Sequence, residues 1–223
     1  MNTPPQSETE LMARAFALAG KSLQDIAASC HETVPLHLTH AKGWAGQLLE
    51  RVLGANACNL SQPDFMNLKI ELKTIPVSPL GKVRESTYIC TAPIPNSESQ
   101  WEHSRVWRKM AKMLIIPIES DKSKPLFSQR IGAPILWSPP RPIEMQLRQD
   151  WEELTELIML GHFELLSAHQ GKYLQIRPKA PNAKTFVKVV NSQGQTISIV
   201  PKGFYLRSIL TQKIIEENYS LCL

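Results

Sequence analysis

The sequence predicts a mixed α/β fold. Two observations carry this. Apolar residues recur at helical spacing through the first quarter of the chain, and Leu68 to Thr74 then alternates with period two. A third narrows the class: strands and helices follow one another without the regular alternation that builds a doubly wound sheet.

Taken in order, residues 1–9 read as a flexible leader. Leu11 to Ala19 reads as a helix closed by Gly20, and Ser22 caps a second helix that places Leu23, Ile26 and Ala27 on one face. Gly43 to Leu53 is a third helix, with Trp44, Leu48, Leu49 and Val52 apolar and Gly54 at its end. A strand begins at Leu68. A second, Ser86 to Ala92, pairs with it through the turn near Pro79-Leu80-Gly81. Trp101 to Met113 is helical, and Leu114 to Ile118 is a short buried strand. The four prolines between Pro134 and Pro142 exclude extended regular structure and mark a connection between lobes. Asp150 to Leu160 is a helix with an acidic first turn. Tyr173 to Arg177, Thr196 to Val200 and Phe204 to Leu206 are strands, and Ile209 to Asn218 is a closing helix.

Composition bounds the function. At 223 residues the chain is long enough for a proper core, as one domain or two lobes. A net charge of +5 and a pI near 9.0 make an anionic partner plausible without establishing one. The four cysteines, Cys30, Cys58, Cys90 and Cys222, include no Cys-x-x-Cys pair, which argues against a zinc site or disulfide framework. No signal pattern or membrane-length apolar run is present, so the expectation is a soluble, cytoplasmic protein.

The segment Pro63-Asp64-Phe65-Met66-Asn67-Leu68-Lys69-Ile70-Glu71-Leu72-Lys73 carries the chemistry. In a strand, Glu71 and Lys73 leave the same face, roughly 6.6 Å apart at about 3.3 Å per residue. Asp64 precedes the strand and can fold back to meet Glu71. Two converging carboxylates suit a hard cation such as Mg²⁺, and a neighbouring lysine suits water orientation or stabilisation of a phosphorane-like transition state. Read alone, the segment equally fits a solvated strand face carrying Lys-Glu-Lys.

Other features divide between binding and structure. Glu50 lies one residue beyond the apolar stripe of the third helix, where it is either a third carboxylate or a solvated side chain; alone, the second reading fits better. Lys42 can reach a phosphate or simply face water. Arg105, Arg108, Lys109 and Lys112 recur at helical spacing with no acidic residue between them, a repulsive row that phosphates would relieve. Arg177-Pro178-Lys179 directly follows a strand and suits reading of base edges in a major groove, or a polar turn. Tyr205 alone is more often core. Asp150, Glu152, Glu153 and Glu156 read as a solvated or partner-facing helix face. Gly20-Lys21-Ser22 lacks the first glycine of a phosphate-binding loop, because position 15 is Ala15, and His37 and His40 lack a third zinc ligand.

Asp64…Glu71-x-Lys73 is similar to the core motif of the restriction-endonuclease-like nucleases, including the literal Pro-Asp. A longer set is more specific: Lys42-Gly43-Trp44-Ala45-Gly46-Gln47-Leu48-Leu49-Glu50, Glu71-Leu72-Lys73-Thr74-Ile75-Pro76-Val77, Leu136-Trp137-Ser138-Pro139, Asp150-Trp151-Glu152-Glu153-Leu154, Tyr173 to Ala180, and Gly203-Phe204-Tyr205-Leu206. Together they resemble the MutH family, from about Leu11 to the C-terminus. The resemblance implies a restriction-endonuclease-like core sheet flanked by helices, one endonuclease domain of two lobes around a DNA-binding cleft. It implies nicking of the unmethylated strand of hemimethylated GATC sites, 5′ to the G, with Mg²⁺, in methyl-directed mismatch repair. MutL activates the family after MutS finds a mismatch, and one nick at a time suggests a monomer. Carried over by motif, Asp64 and Glu71 are metal ligands, with Leu72, next after Glu71, also assigned to the metal site. Lys73 is the catalytic lysine, and Glu50 becomes a further catalytic-site acid. Lys42 and Lys109 lie near scissile phosphates, Arg177, Pro178 and Lys179 form the recognition loop, and Tyr205 senses adenine methylation. The rivals are a non-catalytic DNA-binding protein on the same scaffold and a restriction endonuclease that cuts both strands.

Overall fold

A computed structural model describes residues 3–35, 43–57, 61–94, 98, 100–179 and 185–219. The mixed α/β class is as expected. The chain divides into two compact units, residues 1–85, 111–138 and 214–223 in one, and 86–110 and 139–213 in the other.

The first unit holds α1 (Glu8–Phe16), α2 (Leu23–Ser29) and α3 (Trp44–Leu53) with β1 (Glu71–Val77) and, from its second segment, β3 (Met113–Glu119) and β4 (Ile135–Trp137). Ser22 caps α2 through a reciprocal capping box with Asp25, and Gly54 closes α3 at φ 85°. The sheet order is β1-β3-β4, with β1 and β3 parallel and β3 and β4 antiparallel. Strand β3 lies between two others and is buried over six consecutive residues, which is why Met113 to Ile118 is apolar without alternation. Leu11, Leu23, Ile26, Leu48, Leu49, Phe65, Ile70 and Leu114 join in one core beneath the three helices.

The second unit contains β2 (Thr87–Thr91), α4 (Arg105–Met110), α5 (Arg141–Met159), β5 (Leu174–Pro178), β6 (Val187–Val190), β7 (Thr196–Ile199), β8 (Lys202–Leu206) and the start of α6 (Ser208–Tyr219). Its main sheet runs β2-β8-β5, all antiparallel, and β6-β7 forms a separate hairpin. Trp101, Trp107 and Trp151 stack at centroid separations of 5.3 and 5.8 Å, which joins α5 to the turn before α4. Among the described residues no helix is long and apolar enough to cross a membrane.

Several expectations require correction. The leader is held from residue 3: the Thr3 carbonyl accepts from Arg14, the Pro5 carbonyl accepts from Asn67, and Ser7 caps α1. Strand β1 begins at Glu71, because Met66 to Lys69 form a tight loop closed by reciprocal Phe65–Ile70 backbone bonds. Strand β2 pairs with β8 in the other unit instead of with β1. Ser104 interrupts the expected helix from Trp101: its hydroxyl caps the Trp107 N–H, and the helix ends at Met110. Within the proline-rich stretch, Ile135 to Trp137 adds as β4 at a sheet edge, where prolines on either side cost no ladder bonds. The helix expected from Asp150 starts nine residues earlier, with Pro142 in its first turn.

Lys69 closes the Met66–Lys69 loop at φ 56°, a conformation disfavoured for a side chain bearing a Cβ. Lys69→Gly should leave thermal stability unchanged or higher, whereas Lys69→Val should lower it by about 1–3 kcal/mol. Denaturant unfolding of both variants checks this.

Candidate active site and recognition surface

The loop Met66–Lys69 turns the chain back on itself and brings Asp64 opposite the start of β1. The Asp64 carbonyl accepts from the Asn56 and Ala57 N–H groups at 2.9 and 3.2 Å, and the Asn56 side chain accepts from the Met66 N–H at 3.0 Å. Asn56 thus ties the segment after α3 to the Pro-Asp turn, a function that no sequence pattern had marked.

Along β1, backbone direction decides which groups face this turn. The Glu71 N–H bonds to the Lys112 carbonyl, toward β3. The Leu72 N–H points the other way and bonds to Asp64 Oδ2 at 2.8 Å. N–H and C=O of one residue leave an extended strand on the same side, so the Leu72 carbonyl also faces the Asp64 edge. Glu71 is buried at 2% exposure, and its Oε1 accepts from Lys73 Nζ at 2.6 Å. The solvated Lys-Glu-Lys face therefore does not exist: the polar side of β1 is turned inward at Glu71 and Lys73. Helix α3 covers the strand closely enough that a Cβ on Gly46 would stand 3.8 Å from Thr74 Oγ1.

The electrostatics register the crowding of acids. Burial, then repulsion from Glu71, pushes the Asp64 carboxyl up to about 6 from 3.8. Lys73 and the Leu72 N–H pull it down, and Glu50 on α3 adds a smaller upward push. Asp64, Glu71, Lys73 and Glu50 thus share one electrostatic neighbourhood. Among the described residues no three His, Cys, Asp or Glu side chains form a metal-holding group by themselves. The donor set offered here is two carboxylates and the Leu72 carbonyl. Hard oxygen donors whose mutual repulsion a cation relieves fit an ion that keeps much of its water.

In the second unit, one face of the β2-β8-β5 sheet gathers Tyr88, Tyr205 and Arg177. Tyr88 and Tyr205 are paired in register and meet edge to face at 5.3 Å. Arg177 is exposed, donates to Ser86 Oγ at 2.7 Å and lies 5.9 Å from the Tyr205 ring. Lys179 lies 4.4 Å above the Tyr88 ring, and its N–H bonds to the Pro201 carbonyl at 2.6 Å. Gly203 leaves the space that this requires: a Cβ there would come within 3.0 Å of the Tyr88 ring and 3.2 Å of the Lys179 Cβ. Burial and Tyr88 raise the Tyr205 hydroxyl above its usual range, against Arg177. Pro178, exposed between the two cations, ends β5. Tyr205 is therefore half-buried on an open face, and Tyr88 is the partner that the sequence did not point to.

The expected row of four cations is not a row. Arg105 is paired with Glu98 and Lys112, beyond the end of α4, with Glu8. Lys109 is half-buried on α4. Lys42 lies outside the described residues, as do His37 and His40. Asp150 is not solvated but buried at 2% exposure, while Glu152, Glu153 and Glu156 are exposed. A stronger charge signal lies elsewhere. Between Glu164 and Glu216 there is no acidic residue and there are eight Lys or Arg. Removing those 8 from 25 leaves 17 basic residues against all 20 acidic ones, so this segment alone makes the chain basic.

A family model described as DNA mismatch repair enzyme MutH matches residues 53–150, the stretch from the end of α3 through Asp150. The DNA mismatch repair protein MutH of Escherichia coli O6:K15:H31 (strain 536 / UPEC) is 44% identical over 218 residues, 97% of this chain and 95% of that protein. Its namesake in Klebsiella pneumoniae (strain 342) is 44% identical over 222 residues, 99% and 96% of the two chains. The one in Serratia proteamaculans (strain 568) is 45% identical over 217 residues, 97% and 95%. With likeness of this degree along nearly its whole length, the chain belongs to the MutH family of DNA mismatch repair enzymes.

Proposed function

We propose that this chain is a cytoplasmic, monomeric, Mg²⁺-dependent endodeoxyribonuclease of methyl-directed mismatch repair. It nicks the unmethylated strand of hemimethylated GATC sites 5′ to the G and leaves a 5′-phosphate, with MutL as activator after mismatch recognition by MutS. The observation that carries the reading is the set Asp64, Glu71 and Lys73, held together at the edge of β1 with the Leu72 carbonyl on the same side. Asp64, Glu71 and the Leu72 carbonyl would hold Mg²⁺, which when bound would supply Lewis-acid activation of water and of the scissile phosphate. The 2.6 Å bond to Glu71 fixes Lys73, whose ammonium orients the attacking water or stabilises the charge that develops on the phosphorane. Glu50 adds negative charge that favours cation binding. Lys42 and Lys109 neutralise phosphates.

Sequence reading belongs to the cationic-aromatic face. Arg177 matches the bidentate edge of guanine. Methylation at adenine N6 adds bulk and removes a donor hydrogen in the major groove, and a ring held as Tyr205 is held against Tyr88 suits a steric test for it. The acid-free segment from 165 to 215 supplies the positive field that draws the duplex in.

The test is a hemimethylated GATC duplex with each strand labelled, in Mg²⁺, with MutL and ATP. A nick confined to the unmethylated strand and lost in Glu71→Ala is expected. Cleavage of both strands points to an ordinary restriction endonuclease, and no cleavage to a binding protein on a nuclease scaffold. Arg177→Ala should lower affinity for GATC by about 1–3 kcal/mol and relax preference at one base pair. Lys109→Ala should weaken binding at all sequences alike and reduce the salt slope by about 1. Titrations of cognate and scrambled duplexes across salt concentrations separate the two.

A further inference from the structure

Asp150 is a buried, fully engaged carboxylate in the second unit, and no step of the proposed reaction uses it. It lies on the buried side of α5 and accepts four hydrogen bonds. Oδ1 takes the Lys172 N–H at 3.0 Å and Gln146 Nε2 at 3.0 Å, while Oδ2 takes the Tyr173 and Leu174 N–H groups at 2.6 and 2.8 Å. Three consecutive backbone amides converge on one side chain, immediately before or at the first residue of β5. The loop has been shaped to reach it. Gly171 has φ 75°, and a Cβ there would stand 1.9 Å from the Leu174 carbonyl and 3.3 Å from Asp150 Cγ, so no other residue fits.

The carbonyls of the same loop are held from the opposite side. Arg207, at the end of β8, donates from Nη2 to the Ala168 and Gln170 carbonyls at 2.7 and 2.9 Å, and its N–H bonds to the Tyr173 carbonyl at 2.8 Å. A buried carboxylate therefore fixes the donors of this loop and a guanidinium fixes its acceptors. Arg177 follows Leu174 by three residues, about 10 Å along an extended strand.

The geometry points to Asp150 as a positioning residue for sequence recognition, one that sets the register in which β5 presents Arg177 and Lys179; this rests on the proposed DNA-reading function. Strand β5 is five residues long and, among the described residues, pairs only with β8. In a strand this short, a slip of one residue reverses every side chain. Arg177 would leave the Tyr205 face, and Ile176, now buried, would take its place there. Burial of Leu174 and Ile176 opposes such a slip, through two side chains. The three amides captured by Asp150 add to that resistance, because a slip would leave this buried carboxylate without its donors.

The test compares Asp150→Ala, Asp150→Asn and Gln146→Leu with wild type and Arg177→Ala. Affinity for a GATC duplex and for duplexes with one altered base pair is measured by fluorescence anisotropy, and single-turnover nicking is measured at saturating DNA. Asp150→Asn turns one acceptor into a donor aimed at backbone N–H groups. Both Asp150 variants should lower the preference for GATC by about tenfold, as does losing a base contact. Gln146→Leu removes one bond of the four and should lower it by about threefold, with the three amides still held. Single-turnover rate on saturated cognate DNA should stay within about twofold of wild type, since these variants leave the carboxylate site untouched. A residue that only stabilises the fold would reduce the fraction of active molecules and leave preference unchanged. That result in the folded fraction overturns the assignment. Should the Asp150 variants fail to fold, unchanged preference in Gln146→Leu overturns it. Wild-type protein that shows no preference among duplexes overturns the DNA-reading function itself.

Discussion

Lys73→Ala is expected to abolish nicking and to destabilise the metal-free protein by about 3–5 kcal/mol, because it strands a buried carboxylate. Glu71 is 2% exposed and the Lys73 side chain 14%, and they are joined at 2.6 Å. A surface ion pair is worth little, but removing one partner of a buried pair leaves the other without compensation. The Glu71→Ala, Lys73→Ala double variant should be more stable than the sum of the single losses predicts. Nicking should fall by at least about 10³-fold in each single variant, consistent with losing preorganised transition-state charge. Denaturant unfolding in EDTA and the labelled-strand assay measure both quantities. Additive stability losses would show that the pair does not act as a unit.

Asp64→Asn should act in opposite directions on activity and on stability. Nicking should be lost, because a neutral amide is a poor ligand for a hard cation. The metal-free protein should nevertheless become more stable at neutral pH. Burial and the Glu71 charge raise the Asp64 carboxyl to about 6 in the folded state, from 3.8. The folded protein therefore holds this proton more tightly than the unfolded chain does. Stability is unaffected below about pH 4, falls as the pH rises toward 6, and remains reduced above it. Asparagine escapes that loss and still accepts from the Leu72 N–H. The variant should gain on the order of 2 kcal/mol at about pH 7.5 and nothing near pH 4. Unfolding at both values in EDTA checks the sign. Equal stability of variant and wild type at both would remove the electrostatic strain inferred at this site.

Much of this was legible in one dimension. Asp64, Glu71 and Lys73 were readable as a set because a strand places alternate residues on one side and a short loop can return a carboxylate to its start. Capped helices were readable because Ser22 and Gly54 act within a few residues of themselves. Glu50 was not readable from the residues alone, since its relation to Asp64 depends on α3 packing over β1. The cationic-aromatic face was half readable. Arg177 to Lys179 announced itself by charge, whereas Tyr88 did not, because it reaches Tyr205 across 117 residues of chain through the pairing of β2 with β8.

The misreadings share a cause. Asp150 resembled its neighbours Glu152, Glu153 and Glu156, and charge and spacing alone give no way to tell the carboxylate that faces three backbone amides from those that face water. Strand β2 follows β1 in sequence, but it belongs to the other unit and pairs there with β8. The sequence by itself determined the local elements, the acidic and basic inventory and the Pro-Asp…Glu-x-Lys spacing, all set by interactions within a few residues. Only the tertiary structure decided which polar groups are buried, and so which carboxylate is strained, which lysine is paired and which strand is pinned. Burial depends on what packs from elsewhere in the chain, and burial turns a weakly interacting surface charge into one whose partners control its energy.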